Sequence, residues 1–213
     1  MTVQVKICGL KTEDAIDAAV DAGASYVGFI LFPRSPRALT PEIAAQLRKR
    51  VPKSVRSVAV TVDANDALLD RIMTVVGPDM LQLHGQESPT RTGQLRRRYA
   101  KPVIKALPIA ERADLATVPA YAEVADMLLF DAKPAPGDTR PGGNARSFEW
   151  SLLKDFKLPK PWLLAGGLTA ETLAEAVAAS GATAIDVSSG VETAPGEKDV
   201  ALIRALLDKA KAL

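Results

Sequence analysis

Short apolar runs alternate with amphipathic segments along the whole chain, and this alternation restricts the fold more than any other feature. Eight runs read as strands: Val3–Cys8, Tyr26–Phe32, Val55–Val62, Met80–Leu83, Val103–Leu107, Met127–Ala132, Trp162–Ala165 and Ala184–Val187. Most carry no alternating polar residues, as expected of parallel strands buried on both faces. The segments between them have helical apolar spacing, such as Ile16, Ala19, Val20 and Gly23, then Ile43, Ala44, Leu47 and Val51. Thr12, Thr40-Pro41, Ser88-Pro89 and Ser147 are the helix-start signals, and Gly77-Pro78 is a stop. The helical stretch after the fifth strand is weaker and interrupted by Pro119, while the last two helices begin near Thr169 and Lys198. Lys133–Arg146, rich in Pro and Gly, is the longest stretch without either pattern.

Eight strands in strict alternation with eight helices spread 213 residues over units of about 27 residues, the size of a compact (β/α)8 TIM barrel. A doubly wound open sheet shares the alternation, but it usually carries a glycine-rich dinucleotide turn after its first strand. Cys8-Gly9-Leu10-Lys11 is no such turn. No linker or shift in composition divides the chain, so residues 1–213 read as a single barrel domain.

Composition excludes several classes. With 47% hydrophobic and 24% charged residues, the chain has the apolar surface that disordered proteins lack. Cys8 is the sole cysteine and His84 the sole histidine, which leaves no disulfide framework and no metal-binding cluster of these types. A net charge of +2 is too small to argue for nucleic acid. The clusters Arg48-Lys49-Arg50 and Arg96-Arg97-Arg98 end predicted helices, where cations complement the helix dipole, and they lack interleaved aromatics to stack on bases. No apolar run approaches the roughly 18 residues of a membrane span, and the N-terminal residues do not resemble a secretory signal. The expectation is a soluble cytoplasmic protein with neither nucleic-acid nor membrane partners.

In a barrel the chemistry sits where strands end and βα loops begin. The strand-end candidates are Cys8, Phe32, Asp63, His84, Lys105, Asp131, Gly166 and Ser188. Two glycine-containing turns follow strands seven and eight: Ala165-Gly166-Gly167-Leu168-Thr169 and Asp186-Val187-Ser188-Ser189-Gly190. Glycines let backbone N–H groups approach an anion, and serine hydroxyls add donors, so Gly166, Gly167, Ser188, Ser189 and Gly190 read as a phosphate cradle. Cys8 and Asp131 should face the same barrel mouth. A thiol near its ordinary pKa of about 8.5 serves as a base once modestly activated. A carboxyl in an apolar mouth stays protonated and serves as an acid. His84 either orients its neighbours or meets the substrate directly. The stiff loop Phe32-Pro33-Arg34-Ser35-Pro36-Arg37 offers an arginine able to clasp a carboxylate two-pronged.

These residues, in this order, make the chain resemble the phosphoribosylanthranilate isomerases of tryptophan biosynthesis. The resemblance rests on Lys6-Ile-Cys-Gly-Leu, Leu81-Gln-Leu-His-Gly, Phe130-Asp131, Ala165-Gly-Gly-Leu-Thr and Asp186-Val-Ser-Ser-Gly-Val-Glu, with Pro195-Gly-Glu-Lys-Asp199 following. It implies a TIM barrel that isomerises an aminoaldose to an aminoketose without a cofactor. It also implies Cys8 as general base, Asp131 as general acid and Arg37 as holder of the anthranilate carboxylate, with His84 and Asp186 as possible supporting residues. The expected partner is a small phosphosugar–anthranilate substrate, and the expected assembly is a monomer or homodimer. One departure is Ala145, where the family usually carries a further glycine. Rival readings are another phosphate-binding barrel of the tryptophan or histidine pathways, or a non-catalytic phosphosugar-binding barrel. The indoleglycerol-phosphate synthase type would use a strand-end lysine, for which Lys105 is available, together with a glutamate that no strand here ends on.

Overall fold

The computed structural model describes residues 2–213 except 136, 139, 140, 144, 155 and 159. Eight parallel strands close on themselves in chain order: β1 (Gln4–Cys8), β2 (Tyr26–Ile30), β3 (Arg56–Thr61), β4 (Met80–Leu83), β5 (Val103–Ile109), β6 (Met127–Ala132), β7 (Trp162–Leu164) and β8 (Ala184–Val187). Between them pack α1 (Glu13–Asp21), α2 (Pro41–Arg48), α3 (Asp66–Val75), α4 (Pro89–Tyr99), α5 (Val118–Val124) and α6 (Leu173–Ser180), and α7 (Val200–Lys211) follows β8.

Strand parity divides the side chains into two buried sets. Val58, Val60, Met80, Ile104, Ala106, Leu129 and Leu163 fill the barrel with Cys8. Ile7, Val27, Phe29, Leu81, Leu83, Leu128, Phe130, Leu164 and Ile185 face the helices. Both faces exclude water, which explains the absence of polar alternation. Five helices start on side-chain caps: Thr12, Thr40, Asn65, Ser88 and Asp199 each accept a first-turn backbone N–H, worth about 1 kcal/mol apiece.

The helical layer departs from the pattern in four places. Pro119 does not interrupt a helix. It sits in the first turn of α5, where a missing N–H costs nothing, and a 3-10 helix over Arg112–Thr117 precedes it. Among the described residues Ser147 caps no helix, and the element they form between β6 and β7 is a 3-10 turn over Trp150–Leu153. Thr169 lies ahead of α6 and exchanges hydrogen bonds with Thr172. A two-stranded antiparallel hairpin, β9 (Glu192–Ala194) and β10 (Glu197–Lys198), separates β8 from α7. Of the Pro- and Gly-rich stretch after β6, residues 136, 139, 140 and 144 lie outside the described residues.

Parity also removes one strand-end candidate. Lys105 follows Ile104 on β5 and points away from the barrel interior, out of water. Its Nζ donates to Glu87 Oε2 at 2.9 Å, Gly85 O at 2.6 Å and Leu83 O at 3.3 Å. Glu87 also accepts from the N–H groups of Asp63 and Gly85. Lys105 therefore ties down the loops after β3 and β4 and takes no part in the mouth. Among the described residues no helix is long and apolar enough to cross a membrane.

Candidate active site

β1 places Lys6 and Cys8 on the same, inward side of the barrel, one above the other. The register pairs Lys6 with Asp186 of β8, and their side chains form a 2.8 Å ion pair in which Lys6 is fully buried. On the other flank Cys8 pairs with Gly28. A Cβ on Gly28 would come within 3.0 Å of Cys8 Sγ and 3.1 Å of Lys6 Nζ, so glycine there makes room for thiol and ammonium together. Burial, the largest influence, pushes the Cys8 thiol above its ordinary pKa, with Lys6 opposing the rise and Asp186 adding to it. Burial alone would pull Lys6 down, but Asp186 and Cys8 hold its ammonium above the ordinary value. Lys6 therefore stays charged beneath the thiol. The motif Lys6-Ile-Cys-Gly-Leu shows nothing of this pairing, because it depends on β8 closing against β1.

β6 brings Asp131 to the opposite side of the mouth. Its Oδ1 accepts the Ala132 N–H at 2.8 Å, and its Oδ2 lies 3.3 Å from His84 Nε2. Gln82, two residues earlier on β4, meets His84 Nδ1 at 2.9 Å through its Nε2. With Gln82 donating there, a neutral imidazole carries its proton on Nε2, facing Asp131. The carboxyl thus has polar neighbours on both oxygens, where the sequence suggested an apolar setting. Gly142 closes over this pair, since a Cβ on it would come within 2.4 Å of Asp131 Oδ2 and 2.7 Å of His84 Nε2.

The turns after β7 and β8 approach each other closely. Gly166 and Gly167 have φ of +91° and +66°, a region that side chains disfavour. Gly190 passes so near the β7 turn that a Cβ on it would sit 1.8 Å from Leu168 O. Gly166, Gly167, Ser188 and Ser189 line the mouth, whereas Gly190 joins the two turns from outside it. The Ser188 hydroxyl is already engaged. It donates to the backbone O of Cys8 at 3.1 Å and lies 3.2 Å from Lys198 Nζ.

Arg37 is 2% exposed, so the stiff loop after β2 turns this arginine inward. Its Nε and Nη2 donate to the two carboxylate oxygens of Glu192, each at 2.7 Å. Its Nη1 faces the loop after β6, where a Cβ on Gly143 would come within 2.7 Å of it. In the sequence Glu192 and Lys198 appear only as parts of motifs. Their separation from Arg37 by more than 150 positions leaves no local signal. Ala145, the departure from the family glycine, has φ of +53°. It holds the left-handed conformation that glycine would adopt without steric cost.

Cys8, Arg37, His84, Asp131, Asp186 and the two glycine turns therefore surround one opening. Ile30, Phe32, Val60 and Val62 form an apolar wall able to take a flat ring. The arrangement brings a buried thiol, a carboxyl, a guanidinium and the two glycine turns to the same opening. Gly167→Leu is expected to weaken phosphate binding, because its side chain would meet the Arg146 backbone, 3.0 Å from a bare Cβ, and would strain φ. A raised KM with kcat preserved is the anticipated result, and an unchanged KM in a folded variant would move the cradle elsewhere.

Comparison with known proteins gives concordant findings. The family described as N-(5'-phosphoribosyl)anthranilate (PRA) isomerase matches residues 5–209. An N-(5'-phosphoribosyl)anthranilate isomerase of Paramagnetospirillum magneticum is 53% identical over 211 residues, covering 99% of this chain and 98% of the relative. The crystal structure of phosphoribosyl anthranilate isomerase from Thermotoga maritima superposes with a TM-score of 0.86 at 33% identity, covering 99% of this chain and 100% of that one. A phosphoribosyl anthranilate isomerase in complex with reduced 1-(o-carboxyphenylamino)-1-deoxyribulose 5-phosphate superposes with a TM-score of 0.83 at 32% identity, with coverage of 99% and 100%.

Proposed function

This chain belongs to the phosphoribosylanthranilate isomerase family, and we propose that its barrel mouth performs that isomerisation with Cys8 as general base and Asp131 as general acid. The reaction is an Amadori rearrangement of N-(5'-phosphoribosyl)anthranilate to 1-(2-carboxyphenylamino)-1-deoxyribulose 5-phosphate. The observation that carries the assignment is the single opening shared by Cys8, Asp131, the two glycine turns and Arg37. The relative holding the reduced deoxyribulose phosphate supports a ligand with an anion at each end.

Asp131 protonates the ribose ring oxygen as the bond from C1 to that oxygen breaks, and the anilino nitrogen lone pair forms an iminium. The cationic C=N bond acidifies the proton on C2, and the Cys8 thiolate removes it, leaving an enolamine. Proton transfer to C1 and loss of the enol proton give the ketone at C2. C1 is reduced and C2 oxidised within one molecule, so the electrons balance without a cofactor. The cradle after β7 and β8 takes the phosphate and Arg37 the anthranilate carboxylate, which fixes C2 between base and acid by remote binding. Asp186 holds Lys6 in place, and His84 orients Asp131. The protein works in the cytoplasm, as a monomer or homodimer.

The outward turn of Lys105 argues against indoleglycerol-phosphate synthase chemistry, which would need that lysine in the mouth. The direct test follows the fluorescence of phosphoribosylanthranilate with purified protein. Accelerated decay is expected, and decay at the uncatalysed rate would end this reading.

A further inference from the structure

Three charged side chains meet where the hairpin after β8 folds against the β2 loop. Glu192 receives Arg37 through both oxygens at 2.7 Å, and Lys198 Nζ donates to Glu192 Oε1 at 2.6 Å. Lys198 continues to Ser188, donating to its O at 2.8 Å and contacting its Oγ at 3.2 Å. Ser188 in turn is bonded to the backbone of Cys8. All three charged side chains are only 3% exposed. One continuous set of contacts therefore links Arg37 to the turn after β8.

The geometry at Arg37 leaves its function intact. A carboxylate bonded to Nε and Nη2 fixes the guanidinium plane, Nη2 also donates to Gly143 O at 3.4 Å, and Nη1 remains for another carboxylate. The side chain is ordered before any ligand arrives, so that entropy is not lost on binding. Burial works against the Glu192 carboxylate, but hydrogen bonds from Arg37 and the charge of Lys198 prevail and lower its pKa to about 2. It is an anion at any working pH. Burial lowers the Lys198 pKa against the opposing pull of Glu192, and with Lys198 protonated the cluster carries one net positive charge toward a substrate with two anionic ends.

We propose that Glu192 is a positioning residue that sets the distance between the carboxylate-binding Arg37 and the phosphate turn at Ser188, so that ligands are selected for the span between their two anionic groups. The proposal rests on the assignment of Arg37 and the glycine turns made above. Glu192 touches no substrate and acts through Arg37.

The test is a double-mutant cycle of Glu192→Gln and Arg37→Met, reading KM, kcat and inhibition by the reduced deoxyribulose phosphate analogue. Glu192→Gln is expected to raise KM and the analogue's Ki about tenfold while kcat changes less than about threefold. A merely structural role would instead lower stability and the amount of active enzyme without moving KM. In the Arg37→Met background the further substitution should add little, because its effect passes through Arg37. Full additivity, or an unchanged KM in Glu192→Gln, overturns the proposal. If Arg37→Met leaves the analogue's Ki unchanged, the carboxylate assignment itself fails and takes the proposal with it. Should Glu192→Gln fail to fold, Glu192→Gln/Lys198→Met keeps the net charge of the cluster. It too should raise KM, and wild-type binding by that variant refutes the role.

Discussion

Cys8→Ala is expected to lower kcat by about 10²–10⁴-fold, the usual cost of removing a general base, while affinity for the reduced deoxyribulose phosphate analogue persists. The separation of the two effects follows from the geometry. Cys8 lies at the end of β1, whereas the phosphate turns and Arg37 belong to other segments of the mouth. Cys8→Ser should be nearly as inactive, since a hydroxyl is far harder to deprotonate near neutral pH. The free protein opposes thiolate formation, because burial pushes the Cys8 pKa up. Lys6 below and, more weakly, Lys198 counteract it, and the iminium that forms during the reaction adds a further cation. A base whose pKa is raised is mostly protonated at neutrality, and its active form increases as pH climbs. kcat/KM, which reports the free enzyme, should therefore keep rising on the alkaline side of neutrality. If Cys8→Ala kept more than about a tenth of wild-type kcat with chemistry rate-limiting, another group would be the base, and His84 would be the first to test.

Asp131→Asn should depress kcat by a similar 10²–10⁴-fold, for a reason that reaches beyond the lost proton. Asp131 presents one oxygen to the Ala132 N–H and the other to His84 Nε2. Asparagine has a single acceptor oxygen. Either the strand-end N–H or the imidazole must then face an amide NH2, so the substitution also disturbs the local geometry. His84→Ala leaves the carboxyl in place and removes only its orienting partner, so a smaller loss of kcat is expected. Steady-state kinetics of the two variants decide the matter. A larger loss in His84→Ala than in Asp131→Asn would make the imidazole the proton donor and Asp131 its support.

Much of this architecture is readable in one dimension because its causes are local. Each strand of a closed parallel barrel is buried on both faces, so it appears as an unbroken apolar run, and all eight runs coincide with observed strands to within one or two residues at most ends. The caps Thr12, Thr40 and Ser88 act on N–H groups three residues away, within the reach of a short motif. Glycine turns and strand-end residues fall at the loop-bearing end of the barrel by topology alone, which is why Cys8, Asp131 and the turns after β7 and β8 stand out in the sequence as candidates. Where local signals are weak, sequence pattern and structure diverge. Ser147 has the character of a cap, but the described residues after it form a 3-10 turn over Trp150–Leu153. Pro119 marks a helix start as readily as an interruption.

Tertiary structure alone decided which way side chains face and what they meet. Lys105 and Cys8 both look like strand-end functional groups, yet parity turns one toward the helices, where it pairs with Glu87, and the other into the mouth. Lys6 and Asp186, 180 positions apart, become partners only because β8 closes the barrel against β1. Arg37, Glu192 and Lys198 join because the hairpin after β8 folds back on the β2 loop. The sequence determined the barrel and the end at which chemistry occurs, since burial periodicity and capping act over a few residues. Closure of the barrel determined the electrostatics of that chemistry, since charges far apart along the chain interact strongly only where folding removes the water between them.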